Sequence, residues 1–313
     1  YGRPQVKKTG KGVIHFLVFI TSFAILGFEI NFTRIFAYAQ WHNLSAVIIT
    51  LAMLGFGAGG SITALAGNRI KKHGEVCLSW AAALFSLSAS LGFAVCLNLD
   101  FNPYELPFDT GRILEFFLFL SAMGAPFFFG AVVICICFVN QQVSLTYFIN
   151  LAGSAAGVIF VLGASFFFHP YPVMASIIAI SLVPACLAAL WAGKKAINFC
   201  FAAALLTTGL LASVFSSPDV YRVSQYKAIS GALTLPGADI VHQASSPLSV
   251  IQVVEAQGLR TTAGLSLASA ARVPVQKIIF YNGEGASPIS PFSGNPDTIR
   301  YLEQLGSYLP FAV

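Results

Sequence analysis

Residues 51–64 read "LAMLGFGAGGSITA", and the fold turns on how their glycines are read. Gly55-Phe56-Gly57-Ala58-Gly59-Gly60 has the G-x-G-x-x-G spacing of a dinucleotide-binding loop, which needs a strand before it, a helix after it and water around the phosphates. Here the motif lies in the middle of an uncharged run from Leu44 to Gly67. Glu75 stands near the distance at which such folds place an acidic residue. It follows Arg69-Ile70-Lys71-Lys72-His73-Gly74, however, which reads as a helix end and loop and not as a second strand. The same residues hold Gly55-x-x-x-Gly59, a small-residue face that lets two membrane helices approach closely. Helix packing is the better reading, and no phosphate is expected there.

The rest of the chain agrees with a position inside a bilayer. With 57% hydrophobic and 9% charged residues among 313, and a mean hydropathy of +0.78, it is too apolar for an ordinary soluble domain. Uncharged runs long enough to span a hydrocarbon core as helix fall at roughly 13–38, 44–67, 76–97, 112–139, 144–168, 172–192 and 196–215. The first is too long for a signal sequence and no A-x-A-like cleavage site follows it, so it reads as a retained helix. After Ser216 proline, glycine, serine and scattered charges appear. The expectation is a mainly α, polytopic bundle of about seven transmembrane helices over 1–216, then a polar domain over 217–313.

A net charge of +5 does not signal nucleic acid, because the basic residues sit at helix ends and form no patch with interleaved aromatics. Arg3, Lys7, Lys8 and Lys11, then Arg69, Lys71 and Lys72, then Lys194 and Lys195 all fall on one side of the membrane. The opposite loops carry His42, then Asp100, Glu105 and Asp109, then His169. The Lys/Arg bias predicts a cytoplasmic N-terminus and, with seven spans, an outward-facing polar domain.

The six cysteines, Cys77, Cys96, Cys135, Cys137, Cys186 and Cys200, all fall within predicted spans and form no C-x-x-C. They read as small apolar packing residues. Cys135 and Cys137 are about 200° apart on a helix and cannot share one ion, so no metal site is expected. A membrane haem needs two imidazoles facing each other; His42 with His169 would be such a pair, but interfacial histidines are the plainer reading.

Glu29 and Arg34 lie within the first run, where ionisable residues are expensive enough to count as functional candidates. Five residues apart, they are roughly 140° around the helix and poor partners for each other. Glu29 is expected to face another helix or a polar cavity, and Arg34 to snorkel toward the outer interface. The fifth run repeats the small-residue device as Gly153-Ser154-Ala155-Ala156-Gly157, preceded by Asn150. On that ground helices two and five are expected at the centre of the bundle.

In the polar domain "KAISGALTL", "LSVIQVVEA" and "VQKIIFYNG" are rich in branched and aromatic residues and bounded by Pro-Gly, Ser-Pro and Asn-Gly punctuation. They read as strands of a small antiparallel sheet, with a short C-terminal helix over 296–307 started by Asn295 or Pro296.

"GFEINFTRIFAYAQWHNLSAVIITLAMLGFGAGG" (27–60), "LTYFINLAGSAAGV" (145–158) and the series "SQYKAISGALTLPGA", "SSPLSVIQVVEA", "GLSL" and "IIFYNGEGASPI" together resemble the integral-membrane spermidine synthase-like proteins. In these a multi-helix membrane region precedes a polyamine aminopropyltransferase-like module. Asp297-Thr298-Ile299-Arg300-Tyr301-Leu302-Glu303 is similar to the D-x-x-x-Y-H-E segment of spermidine synthases, which makes Asp297, Tyr301 and Glu303 substrate-pocket candidates by resemblance. Leu302 stands where that family has His, Ser246-Pro247-Leu248-Ser249 replaces S-P-Y-Q, and Asn282-Gly283 replaces Asp-Gly.

The resemblance implies that a strand, a glycine-rich loop for an S-adenosylmethionine-type cofactor and the acidic residues that deprotonate the amine come after this stretch. No catalytic residue and no bound cofactor are therefore expected in these 313 residues; such a cofactor would need a further C-terminal domain. Two readings stay open. The chain is the ordered N-terminal part of a longer aminopropyltransferase- or methyltransferase-like protein, or it is a non-catalytic accessory or transporter-like membrane subunit. The expected partners are the lipid bilayer and other membrane subunits or a second copy, and the expected location is a bacterial inner membrane.

Overall fold

The computed structural model describes residues 11–40, 45–98, 110–216, 223–262, 264–266 and 268–311. It divides into two compact units, 1–222 and 223–313.

In the first unit, seven helices among the described residues are long and apolar enough to cross a membrane: α1 (Lys11–Ala39), α2 (Ser45–Leu65), α3 (Gly67–Asn98), α4 (Thr110–Asn140), α5 (Val143–Ala164), α6 (Pro170–Ala192) and α7 (Lys194–Phe215). Continuous helix satisfies every backbone group internally, as a hydrocarbon environment demands. Lys11, Arg69, Lys71, Lys72, Lys194 and Lys195 stand at the starts of α1, α3 and α7, so their end of the bundle is called the basic face below, and the other the far face. The charged Arg69–Gly74 stretch is not a helix end and loop, as its polarity suggests. It is helical, the first turns of α3, and the change of direction is a kink at His73 (φ −132°, ψ 33°).

The centre of the bundle differs from expectation. α1 packs on α5 and α6 and also touches α4 and α2, while α3 packs on α4, α6 and α7. α2 rests chiefly on α4, and α5 almost wholly on α1. Helices two and five are thus peripheral. A small-residue stripe specifies one close contact, not burial on all sides, and the other faces of α2 and α5 carry exposed Met53, Leu54, Phe148 and Ile159, apolar side chains suited to lipid.

Proline and glycine shape one further contact. Pro126 inside α4 has no N–H, so the carbonyl of Ala122 one turn earlier loses its helical donor. Gly92 of α3 lies against that carbonyl, and a Cβ there would come within 3.0 Å of its oxygen.

The second unit begins with α8 (Ala228–Leu233), followed by β1 (Asp239–Ser245), β2 (Val250–Glu255), β3 (Lys277–Tyr281) and β4 (Glu284–Ile289). The strands pair in chain order as an antiparallel sheet. "KAISGALTL", expected as a strand, forms α8 instead. Ile229 and Ala232, three apart, share one helical face and both enter the core, a spacing that overrides the branched-residue signal. That core joins Ile229 and Ala232 to Val254, Ala256, Leu259, Ile278 and Phe280. Asn282-Gly283 closes β3 on β4 with both φ angles positive (50° and 74°), the two-residue hairpin that Asn-Gly favours. Both edges are guarded: β1 has a bulge between Ile240 and His242, and β4 contains Pro288, which has no N–H to offer a foreign strand.

After the sheet come two 3-10 helices, Pro296–Gln304 and Gly306–Phe311. The side chain of Asn295 caps the first by accepting from the amide of Asp297, so the helix begins where expected.

Candidate functional site

The sequence candidates fall into a membrane set and a polar-unit set. In the membrane, Gly55 and Gly59 of α2 lie against Phe127, Phe128 and Ala131 of α4; a Cβ on either would sit within 2.9 Å of α4 atoms. Gly153 and Gly157 of α5 lie against the backbone of Phe19 and Phe23 of α1, so closely that a Cβ would strike the carbonyl oxygens. Both pairs therefore pack helices, as their i, i+4 spacing indicates.

Asn150 is placed just before the α5 glycines, and its Oδ1 accepts the hydroxyl of Ser22 at 2.7 Å. The α1–α5 contact thus combines close backbone approach with one polar tie. Ser22 escaped sequence reading because a serine in a helix can bond its own preceding turn; it does also lie 2.7 Å from the Val18 carbonyl.

Toward the far face the sequence reading missed a cluster. Asn31 is fully buried, and its Nδ2 donates to the carbonyl of Pro170 at 2.7 Å. Arg34 donates to Asn31 Oδ1 at 3.4 Å. His169 caps α6, its Nδ1 accepting from the amide of Tyr171, and its ring meets those of Tyr38 and Tyr171 edge-on, with centroids 4.9 and 4.6 Å away. Burial, and then the charge of Arg34, hold the His169 imidazole down at about 3, so it works as a neutral acceptor. Tyr38 and Tyr171, each near one end of a span, are the signal that could have located this cluster. His42 lies outside the described residues.

Glu29 stands apart from that cluster. It is half-buried on α1, and its carboxyl makes no hydrogen bond or ion pair with a described residue. The six cysteines are free thiols, and no group of three His, Cys, Asp or Glu that could hold a metal occurs among the described residues.

In the polar unit the three candidates separate by environment. Tyr301 is 3% exposed; its hydroxyl accepts from Gln276 Nε2 at 3.0 Å and shares a hydrogen bond with Ser290. Gln276, 1% exposed, accepts the Thr261 amide through Oε1 at 2.8 Å. Asp297 and Glu303 lie on the outer side of the same 3-10 helix, exposed, with Glu303 3.8 Å from Arg300. The helix is therefore held from beneath through Tyr301 and displays two carboxylates.

Lys227 is a second polar feature absent from the sequence reading. It is 3% exposed, and Nζ donates to the Asn282 carbonyl at 2.7 Å. Burial lowers its amine to about 8, with Glu284 opposing part of the shift. Because Ile229 also donates its amide to the Gly283 carbonyl, the chain entering α8 is fastened to the β3–β4 turn at two points. Against protein-family models, curated proteins and solved structures, the chain finds no match.

Proposed function

We propose that this chain is the membrane and substrate-wall part of a spermidine synthase-like transferase, seated in a bacterial inner membrane. The bundle anchors it, and the polar unit offers one wall of an amine-binding site. An S-adenosylmethionine-type cofactor would be bound by a further C-terminal domain. The observation that supports this reading is the first 3-10 helix, whose D-x-x-x-Y-x-E pattern fixes Tyr301 in the interior and leaves Asp297 and Glu303 exposed. Two carboxylates on a braced turn suit a substrate carrying several ammonium groups.

The native protein tests it. The reading expects an intact mass well above 33.3 kDa and putrescine binding that weakens about tenfold in D297N with E303Q. A native mass of 33.3 kDa with no amine binding overturns it.

The charge distribution favours a second reading, a non-catalytic accessory or transporter-like subunit. On this reading the N-terminus is cytoplasmic, and seven spans then leave the polar unit outside, away from cytoplasmic cofactor. External protease cleaving intact cells at a site introduced near Gly237 supports this reading; protection there supports the first.

A further inference from the structure

Glu29 lies ten residues before the end of α1 (Lys11–Ala39), about 15 Å from the far face at 1.5 Å per residue, near the middle of a hydrocarbon core about 30 Å thick. The contact of its neighbour Phe28 with Phe127, centroids 5.7 Å apart, sets it level with the middle of α4. It shares a face of α1 with Ser22, seven residues back, and Ile25, four back. Ser22 bonds Asn150 of α5, and Ile25 lies against Gly130 of α4. Glu29 is therefore on the side of α1 turned toward α4 and α5.

Among the described residues, no charge is placed to balance it. α2 has no titratable side chain along its length. On α4 the charged residues are Arg112 and Glu115, paired with each other at 2.8 Å near the far face, and Cys135 and Cys137 lie about two turns toward the basic face. α5 contributes only Tyr147, near the basic face. α6 contributes Tyr171 and Cys186, and α3, which touches α1 only slightly, has Cys96 as its titratable residue nearest the far face. Arg34 on α1 itself is turned to Asn31 and His169.

A carboxylate without a counter-charge in a medium of low dielectric is strongly disfavoured, and such a group takes up a proton instead. We propose that Glu29 is a proton-binding site at bilayer depth, its carboxyl protonated at neutral pH and reachable from the lipid phase. The half-exposure of Glu29 leaves that approach open.

A lipid-soluble carbodiimide, dicyclohexylcarbodiimide, tests the site in the full chain reconstituted into phosphatidylcholine vesicles. The protonated carboxyl adds across one C=N bond: the acid proton goes to nitrogen, the carboxyl oxygen bonds to carbon, and migration of the acyl group to nitrogen gives a stable N-acylurea. Nothing leaves, so the labelled peptide gains the mass of one whole reagent molecule. The expected result is an adduct on Glu29, formed at least tenfold faster at about pH 6 than at about pH 9, and absent in E29Q. Infrared spectra are expected to show the carbonyl stretch of a protonated carboxyl at neutral pH in the wild type and not in E29Q, a readout that needs no reagent access. Labelling that spares Glu29 together with no such band, or an adduct rate unchanged between the two pH values, overturns the proposal.

Discussion

Gly157 of α5 lies directly against the carbonyl of Phe23 on α1, with no space for even a methyl group between them. Gly153 repeats the relation at Phe19. Because both partners advance by four residues, the two helices run parallel and meet over two successive turns.

Replacing Gly157 with Leu is expected to lower stability by about 2 kcal/mol or more, since backbone cannot move aside as a side chain can. G59L on α2 should behave similarly against Phe128 and Ala131, whereas G163A, with nothing within 4 Å, should be neutral. Thermal unfolding in detergent, followed by size-exclusion chromatography, distinguishes the three; equal melting of G157L and wild type would refute the packing account.

The Ser22–Asn150 tie is expected to contribute about 0.5–1.5 kcal/mol, the range of interhelical hydrogen bonds in membranes. N150L and S22A should each lower the melting temperature, and the double variant should lose less than their sum. Strict additivity would mean that the two side chains do not interact.

Lys227 predicts a pH dependence whose sign follows from its depressed value. The folded state disfavours the ammonium form, so between about 8 and the ordinary 10.5 the unfolded state binds more protons, and stability rises with pH across that window. The full rise is on the order of 3 kcal/mol. Hydrogen exchange of the Ile229 amide, corrected for base catalysis, should slow over this range in the wild type and not in K227M. An identical profile in both would exclude Lys227 as its origin.

Tyr301 and the two carboxylates beside it should part in their effects. Y301F removes a hydroxyl bound to Gln276 and Ser290 and is expected to cost about 1–2 kcal/mol. D297N and E303Q, on exposed side chains, should stay within about 0.5 kcal/mol of wild type. Chemical denaturation of the polar unit checks both, and a neutral Y301F would show that the buried network does not brace the helix.

The membrane spans were legible because composition alone separates lipid-soluble helix from loop. The reading at 172–192 already lies within α6, and only the two residues of its start, Pro170 and Tyr171, needed the His169 cap to be seen. The glycines of α2 and α5 announced close contacts but not their partners, since which helix Gly55 meets depends on contacts far apart in the chain. Reading two such stripes as the bundle centre overestimated what a single narrow face can specify. In the polar unit the strands at Val250 and Lys277 were visible from branched and aromatic residues set between turn signals, while "KAISGALTL" misled because Ile229 and Ala232 serve a helix within a branched-residue context. Asp297, Tyr301 and Glu303 were found as a pattern, but the division between one buried and two exposed members came from Gln276, whose role no local sequence signal reveals.

The α1–α5 contact also constrains how the protein is made. Ser22 and Asn150 are 128 positions apart, so at about 5–20 residues per second roughly 6–25 s of synthesis separate the two. During that interval α1 is already in place with Ser22 untied and the Phe19 and Phe23 carbonyl stripe uncovered. Of the seven described spans, α1 is made before the others yet completes its packing only once α5 and then α6 have followed.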